Sequence, residues 1–481
     1  MKVLLVGSEC YPLVKTGGLA DVLGALPLAL AELGVDARVL LPAYPGVADL
    51  VAGKRTVASL ADLFGGPARV VSGRTGAGLR VMLVDAPHLY RRAGGPYLGT
   101  DGLDHPDNDL RFAALGRVGA SIAVGQVGRW VPDVVHAHDW QAGLVPAYLH
   151  VLGSRVPTVL TIHNLAFQGV FPADRLDAVD LPHSTFTIDG VEYHHQISYL
   201  KAGVQYSAAI TTVSPTYAQE ITTAADGFGF DGLLRRRADV LSGITNGIDV
   251  AVWNPATDAL LPARYSAQDA AAKATCKASL QAELGIDVRP DLPLFGVVSR
   301  LTTQKGFDLL LEVLPVLLAG GQLAVLGSGA PEIEAALRAV AEERPDRVGL
   351  VTGYDEALAH RIQGGADVVV VPSRFEPCGL TQLCGLRYGS LPLVSRVGGL
   401  ADTVIDANDA ALREGVATGF VFSPVDATAF EHALERVFAA WAEPGRWAQL
   451  RKRAMTSPVG WASSAPAYRD VYESVSRPAG P

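Results

Sequence analysis

The sequence predicts an α/β protein made of two doubly wound parallel-sheet domains. Short apolar, β-branched runs alternate with helical stretches along the whole chain of 481 residues. The runs are continuously apolar, which is typical of parallel strands that are covered by helices on both faces. Roughly eleven such runs are present, more than one sheet comfortably holds. We therefore predict two sheets, each in a domain of its own.

The predicted strands lie in both halves of the chain, six in the first and five in the second. In the first half they are Val3–Val6, Ala37–Leu41, Val81–Val84, Val134–Ala137, Thr158–Ile162 and Ala209–Val213. In the second half they are Leu294–Val298, Gln322–Leu326, Val348–Val351, Val368–Val371 and Leu391–Ser395. Ligands of open parallel sheets bind at the carboxyl ends of the strands, so the loops there are the first place to search for a site.

The domain boundary is predicted close to residue 250. The first alternation ends at Asn246-Gly247, and a helix predicted over Ala267–Leu284 leads into the second. We assign residues 1–250 to an N-terminal Rossmann-like domain and residues 251–460 to a C-terminal one. Residues 461–481 are aromatic and predict a helix that packs back onto the N-terminal domain.

Charge and composition exclude several classes of function. The formal net charge of −9 gives a nucleic-acid partner no electrostatic support. The four cysteines fit neither a zinc pattern nor a disulfide scaffold, which is typical of a reducing cytoplasm. Glu9 ends the first apolar stretch too early for a signal peptide, and no segment has the uninterrupted length of a membrane span. We expect a cytoplasmic protein with no membrane partner.

A lysine and two glycines stand at the first predicted strand-to-helix turn, in Lys15-Thr16-Gly17-Gly18-Leu19-Ala20-Asp21. Glycine lets a ligand approach the main chain, and a helix start offers unpaired N–H groups and a positive dipole end. With the charge of Lys15, the turn is suited to an anion, most simply a phosphate or diphosphate. An ordinary strand-to-helix turn is the alternative. Residues 17–21 recur at 398–402, which we interpret as shared turn chemistry.

Two cations follow the first strand of the second half. Arg300 and Lys305 lie five residues apart in a loop that ends with Gly306. A guanidinium fork and an ammonium point charge can hold a diphosphate without a metal. The alternative is that both side chains are solvated near a helix start.

A glutamate follows another strand of the second half, in the stretch 372–381. Pro377 and Gly379 predict a rigid turn, and Leu380 is expected to open a helix. N–H groups at 379–381 can then meet a phosphate, while Glu376, held just outside the helix, can accept sugar hydroxyls. The alternative is that Glu376 merely caps the helix.

Polar residues end two strands of the first half. His136, His138 and Asp139 end one strand, and His163 and Asn164 end another. His136 and His138 share a face because side chains alternate along a strand. A metal site made of the three histidines and Asp139 is one interpretation, but the spacing matches no common ligand pattern, and buried structural histidines are favoured. His163 and Asn164 are suited to hydrogen bonds with a polyol.

Three further positions are candidates. Tyr354 can stack on a base, and Asn246 lies where the first alternation ends. Tyr97 begins a long loop, rich in Asp, Asn and Tyr, of a kind that suits sugar recognition.

The stretches 15–21, 300–306 and 376–383, in this order, resemble the bacterial glycogen synthase and plant starch synthase family. The resemblance spans nearly the whole chain. It implies the GT-B architecture, two Rossmann-like domains around a deep cleft. It also implies transfer of glucose from ADP-glucose to the non-reducing end of an α-1,4-glucan such as glycogen, with retention at the anomeric carbon. Neither a metal nor another cofactor is expected.

The resemblance also implies roles for individual residues. The expected catalytic residues are Glu376, His163, Asp139, Arg300 and Lys305. The expected ADP-glucose contacts are Lys15, Gly17, Gly18, Asp21, Asn164, Asn246, Arg300, Lys305, Tyr354, Cys378, Gly379, Leu380 and Thr381. Tyr97 is expected in the path of the glucan acceptor, and Tyr354 against adenine.

The sequence departs from the family pattern at two positions. Many retaining GT-B enzymes have a second glutamate eight residues after the first, and the bacterial branch usually has tyrosine there. Cys384 occupies that place here. Ala330 stands in a loop where an acidic residue is common. We expect neither change to remove the chemistry.

No second carboxylate is evident beside the sugar, so a front-face attack by the acceptor hydroxyl, assisted by the departing phosphate, is favoured over a nucleophilic carboxylate. Closure of the domains is expected to bring Lys15 and Arg300 onto one diphosphate.

Three alternative functions are open. They are a GT-B enzyme that uses UDP-glucose or another acceptor, a NAD(P)-dependent dehydrogenase, and an inactive glucan-binding protein. The absence of Gly-x-Gly-x-x-Gly after Val6 counts against the dehydrogenase.

Overall fold

The chain forms two compact units in a computed structural model that describes residues 1–477. The first unit contains residues 1–246 together with the described residues from Trp461 onward, and the second contains Gly247–Gly460. The sequence placed these divisions at 250 and 460. The last four residues of the predicted C-terminal segment lie outside the described residues.

The first unit is built on a nine-stranded sheet in the order β12-β11-β7-β6-β1-β2-β5-β4-β3. Its strands are β1 (Lys2–Val6), β2 (Asp36–Pro42), β3 (Ala52–Leu60), β4 (Ala68–Arg74), β5 (Arg80–Asp85), β6 (Val134–His138), β7 (Thr158–Ile162), β11 (Ala209–Thr212) and β12 (Leu241–Gly243). From β12 to β5 all neighbours are parallel. A small antiparallel sheet joins β8 (Val170–Pro172), β10 (Gln196–Ser198) and β9 (Glu192–Tyr193).

The edge of the large sheet differs from the prediction of parallel strands alone. β4 pairs antiparallel with both β5 and β3, which adds a hairpin to the parallel core. Most residues of β3 are exposed. An exposed edge strand needs no apolar run, so the sequence pattern did not predict it.

Helices cover the sheet of the first unit. They are α1 (Gly18–Glu32), α2 (Pro87–Tyr90), α3 (Asn108–Ala123), α4 (Leu144–Val151), α5 (Tyr199–Tyr206), α6 (Pro215–Glu220) and α7 (Asp231–Arg236). α1 ends at Glu32, and Gly34 lies just beyond it at a φ of 81°.

The second unit has a six-stranded, all-parallel sheet in the order β15-β14-β13-β16-β17-β18. Its strands are β13 (Leu294–Val298), β14 (Gln322–Gly327), β15 (Val348–Thr352), β16 (Val368–Val371), β17 (Leu391–Ser395) and β18 (Phe420–Phe422). Its helices are α8 (Lys273–Glu283), α9 (Phe307–Gly320), α10 (Pro331–Glu343), α11 (Glu356–Gly365), α12 (Thr381–Tyr388), α13 (Gly398–Thr403), α14 (Asp409–Arg413), α15 (Ala427–Trp441) and α16 (Pro444–Met455). The main core includes Phe295, Leu310 and Val370.

The predicted helix over 267–284 is wrong at its start, because α8 begins only at Lys273. A turn precedes it, in which the Ser266 N–H donates to the carbonyl of Asp269 over 2.9 Å. The Asp269 carboxylate also accepts the N–H of Ala271 over 3.2 Å. Side chains of this type compete with helical hydrogen bonds, so the helix begins later than its apolar pattern predicts.

The C-terminal helix α17 (Ala465–Ser476) belongs to the first unit, where it packs on α1 and β6. Tyr468 and Tyr472 are fully buried, and the Tyr472 hydroxyl lies 2.8 Å from Nδ1 of His136. Within residues 1–477, every helix is too short or too polar to cross a membrane.

Candidate active site

Asp139 stands at the carboxyl end of β6, beside the tip of β7. His138 of β6 pairs with Thr161 of β7 in parallel register, so the two strands end at the same edge of the sheet. The Asp139 carboxylate accepts the N–H of His163 over 2.7 Å and that of Asn164 over 3.4 Å. The backbone of Asp139 has a φ of 56°, in the left-handed region. This conformation costs free energy in a residue other than glycine, and such residues cluster at functional sites. The predicted neighbourhood of Asp139, His163 and Asn164 is present.

Burial raises the pKa of Asp139 to about 7, although the N–H groups of His163 and Asn164 pull that pKa down. A carboxyl group with this pKa populates both its neutral and its charged form near neutral pH. Asp139 can therefore accept or release a proton under physiological conditions.

The three histidines form a row of neighbouring, tilted rings, in which His136 and His138 are buried and His163 is half-buried. Nδ1 of His138 lies 2.9 Å from Nε2 of His163, and the rings of His136 and His138 are 4.0 Å apart. Burial lowers the pKa of His136 and of His163 to about 3, and that of His138 falls well below its ordinary value for the same reason. All three are therefore neutral at physiological pH.

His136 has the structural role that the sequence favoured. Its Nε2 lies 2.6 Å from Oγ1 of Thr161, and its Nδ1 contacts Tyr472 of α17. Both ring nitrogens thus have partners within the protein. Among the described residues, no group of three or more His, Cys, Asp or Glu side chains is arranged to hold a metal ion.

The turn before α1 differs from its prediction in one respect. The N–H groups of Thr16 and Gly17 donate to the carboxylate of Glu9, so these two groups are not open to a ligand. Nζ of Lys15 lies 2.9 Å from the carboxylate of Asp21. A Cβ added to Gly17 would meet nothing within 4 Å, so this glycine leaves room for close approach.

Tyr97 is joined to the same carboxylate. Its hydroxyl donates to Glu9 and lies 2.7 Å from Oγ of Ser8. Burial, followed by the charge of Glu9, raises the pKa of Tyr97 well above its ordinary value. Tyr97 is therefore an uncharged phenol whose polar end is fixed.

In the second unit, Lys305 and Glu376 form an ion pair at the predicted loops. Nζ of Lys305 lies 2.6 Å from Oε2 of Glu376, and the two side chains are 17% and 8% exposed. Oγ of Ser373 donates to the same oxygen over 2.8 Å. Glu376 thus contacts Lys305 and Ser373 through its side chain, whereas the alternative was a cap on α12.

Arg300 is exposed, and its guanidinium has no hydrogen-bond or ion-pair partner among residues 1–477. It stands five residues before Lys305, as the sequence predicted for a pair that holds a diphosphate. Because Lys305 is partly neutralised by Glu376, Arg300 is the cation of this pair whose charge is not offset.

The turn that carries Glu376 is held from behind by the second Gly-Gly pair. The N–H of Gly399 donates to the carbonyls of Glu376 and Pro377, and Gly398 has a φ of 39°. A Cβ on Gly398 would lie 2.1 Å from the carbonyl oxygen of Glu376. The turn leads to α12, which begins at Thr381 with Leu380 at its N-cap, one residue later than predicted.

The remaining predicted residues differ in exposure. Asn246 is 7% exposed, and no partner of its buried Oδ1 is found in the described part of the chain. Tyr354 is 76% exposed. Cys378 is buried in the turn after Glu376.

Comparison with known proteins assigns this geometry to a family. The family model of the starch synthase catalytic domain matches residues 2–236, and that of glycosyl transferases group 1 matches residues 285–454. Glycogen synthase of Acidiphilium cryptum is 54% identical over 477 residues, which cover 99% of each chain. Glycogen synthase of Rhodopseudomonas palustris is 55% identical over 474 residues, 98% of each chain.

Solved structures agree with the sequence relatives. The catalytic domain of starch synthase IV from Arabidopsis thaliana, bound to ADP and acarbose, matches with a TM-score of 0.90 and 32% identity over 99% of each chain. A sucrose-phosphate synthase from Thermosynechococcus elongatus shares the fold, with a TM-score of 0.59 and 18% identity over 98% of each chain.

This chain belongs to the glycogen synthase and starch synthase family. The GT-B fold and the hexosyltransferase class that the sequence predicted are confirmed. Membership implies a nucleotide-sugar donor and a glucan acceptor, and it excludes the dehydrogenase alternative.

The two departures from the family pattern lie in different surroundings. Cys384 is 4% exposed and packs in the main core of the second unit. Ala330 precedes α10, where the Glu334 carboxylate accepts the N–H of Gly329 over 2.8 Å. An acidic group thus supports this turn from a neighbouring position.

The sequence did not predict the roles of Glu9 and Ser373. Each contacts a predicted site residue through its side chain, and such contacts depend on chain segments that fold together. A weak signal existed for Glu9, since it lies only three residues after an apolar strand, and a buried carboxylate is unusual unless it is paired.

We predict that Asp139→Asn stabilises the protein at neutral and alkaline pH. The pKa of Asp139 is higher in the folded than in the unfolded state, so wild-type stability falls as the pH rises from 4 to 7. Asparagine keeps an acceptor oxygen and does not titrate. Since each pKa unit corresponds to about 1.4 kcal/mol, the gain should reach a few kcal/mol above pH 7 and vanish near pH 4.

Melting temperatures of both proteins between pH 4 and 8 measure this effect. Asp49→Asn, at an exposed position, serves as the matched control and should follow the wild type. A constant difference between Asp139→Asn and wild type at every pH would contradict the prediction.

Proposed function

We propose that this protein transfers glucose from ADP-glucose to the non-reducing end of an α-1,4-glucan, with retention at the anomeric carbon. The observation that carries the proposal is the ion pair of Lys305 and Glu376, which joins two strand-end loops of the second unit, the first of which also carries Arg300. It is supported by glycogen synthase relatives that match the whole chain and by a starch synthase structure with bound ADP and acarbose.

In this proposal the second unit holds the donor. Arg300 and Lys305 neutralise the diphosphate as its negative charge grows, which is usually the largest single catalytic effect. N–H groups at the start of α12 add the positive end of a helix. Oε2 of Glu376 contacts Lys305 and Ser373, which leaves Oε1 to accept a hydroxyl of the glucose.

The first unit is proposed to hold the transferred sugar and the acceptor. Since Nε2 of His163 contacts His138, Nδ1 is the ring nitrogen that can meet a sugar hydroxyl. A neutral imidazole beside Asp139 suits a sugar that gains positive charge, because the ring adds no repulsion. Tyr97 offers an aromatic face to the glucan. Lys15, Asp21, Asn246 and Tyr354 remain proposed donor contacts.

The proposed reaction is a front-face substitution. The bond between the anomeric carbon and the phosphate oxygen breaks, and its electron pair leaves with ADP. The 4-hydroxyl oxygen of the acceptor bonds to the anomeric carbon from the same face and gives its proton to the departing phosphate. Retention therefore needs no nucleophilic carboxylate, unlike the double displacement of retaining glycosidases.

We propose a cytoplasmic location, where nucleotide sugars are available, and a reaction without metal or other cofactor. A second candidate is the same transfer from UDP-glucose, because a stacking contact at Tyr354 would accept uracil as well as adenine. An inactive glucan-binding protein is a further alternative, against which the intact ion pair of Lys305 and Glu376 argues.

We predict that the purified protein releases ADP from ADP-glucose and that glycogen strongly increases this release. The transfer requires an acceptor hydroxyl, so the difference between the two conditions reports glucosyl transfer. ADP production and the growth of radiolabelled glucan are measured together, with UDP-glucose in parallel. Faster reaction with UDP-glucose would favour the second candidate, and glucan binding without nucleotide release would favour the inactive protein.

We predict that Arg300→Ala and Lys305→Ala each lower kcat on the order of 10²-fold or more, the typical loss when one donor to a developing anion is removed. Steady-state rates with saturating ADP-glucose and glycogen measure the effect. Arg338→Ala and Lys452→Ala remove exposed cations of the same unit and should retain wild-type turnover. Circular dichroism and melting temperature check that the variants fold. Unchanged kcat in Arg300→Ala would remove the proposed diphosphate contact.

We predict that activity survives exhaustive treatment with EDTA, because cationic side chains supply the charge that a metal would supply elsewhere. Rates before and after dialysis against the chelator measure this. Complete loss of activity that zinc restores would instead favour a metal at His136, His138 and His163.

A further inference from the structure

Glu9 is a buried carboxylate that contacts two separate parts of the first unit. It lies between β1 and the turn before α1 and is 3% exposed. A glutamate this deeply buried is rare unless hydrogen bonds compensate for its lost hydration. Each of its oxygens accepts two hydrogen bonds, so the carboxylate has four donors.

Three of the donors come from the turn that carries Lys15. They are the N–H of Thr16, the hydroxyl of Thr16 at 2.5 Å, and the N–H of Gly17 at 3.1 Å. Glu9 therefore fixes the main chain directly after Lys15 and directly before the first residue of α1. A glutamine at this position would place its amide NH2 group against these N–H and O–H donors, and two donors cannot hydrogen-bond to each other.

The fourth donor is the hydroxyl of Tyr97, eighty-eight residues away in the sequence. Oγ of Ser8 completes the environment of that hydroxyl at 2.7 Å. The ring of Tyr97 also packs against Phe112, with 5.9 Å between centroids. The orientation of Tyr97 thus depends on the same carboxylate that orders the Lys15 turn.

We propose that Glu9 is a positioning residue that orders the Lys15 turn for the nucleotide sugar and Tyr97 for the glucan. The inference rests on the proposed function, because it uses the roles given to Lys15 and Tyr97 there. Glu9 acts through these residues and need not touch either substrate. Burial is the main cause of the raised pKa of Asp139, and the charge of Glu9 raises that pKa further.

The test is a kinetic comparison of three variants. Glu9→Gln keeps the shape but turns an amide toward some of the donors, so it should raise the KM for both substrates. Thr16→Val removes one donor of the turn and should raise only the KM for ADP-glucose. Tyr97→Phe removes the hydroxyl that donates to Glu9 from the Tyr97 side and should raise only the KM for the glucan. Since hydrogen bonds to charged groups are among the stronger ones, we expect changes of about tenfold.

The double variant Glu9→Gln/Tyr97→Phe gives the sharpest result. If Glu9 acts on the glucan through Tyr97, the double variant should have the same glucan KM as Glu9→Gln alone. If the two residues act independently, the fold-increases in glucan KM of the two single variants should multiply in the double variant. Glu32→Gln, an exposed position at the end of α1, is the matched control and should leave both KM values unchanged.

A lower melting temperature of Glu9→Gln with both KM values unchanged would assign Glu9 a purely structural role and overturn the proposal. Equal effects of Thr16→Val and Tyr97→Phe on both substrates would also overturn it, and these two variants decide the matter if Glu9→Gln does not fold. Failure of the proposed function is distinguishable, since the wild type would then release no ADP from ADP-glucose with glycogen.

Discussion

Parallel pairing of the central strands is the constraint on which the site depends. In the first unit, the pairing of β6 with β7 fixes the ends of both strands at one level, so Asp139 reaches the N–H groups of His163 and Asn164. In the second unit, β13 pairs with β16, and the loops after them bring Lys305 and Glu376 together. Residues far apart in sequence meet because parallel strands end on the same edge of a sheet.

Charge compensation within the protein distinguishes the individual site residues. Lys15 is paired with Asp21, and Lys305 with Glu376, so neither ammonium carries its full charge to a ligand. Arg300 is exposed and has no such partner among residues 1–477. Of these three cations, Arg300 is therefore the one whose charge no carboxylate offsets, which is why the proposed function gives it a contact with the diphosphate.

Burial sets the protonation states in the first unit. The histidine row is neutral because its environment disfavours charge, and Asp139 titrates near neutrality for the same reason. The left-handed backbone of Asp139 has a conformational cost that the two N–H groups offset in part. The structure thus gives up some stability to hold the Asp139 carboxylate in a fixed position, a common compromise at functional sites.

The sequence by itself determined the fold class, all of the central strands and the strand-end loops in which the candidate residues lie. Continuous apolar runs are a local property, and so are glycine turns and the spacing of Arg300 and Lys305. The tertiary structure alone decided which charges are paired, that Glu9 occupies the N–H groups expected to be free, and that an exposed hairpin extends the first sheet. These features depend on contacts between distant segments and on burial, and neither quantity is encoded in a local pattern of residues.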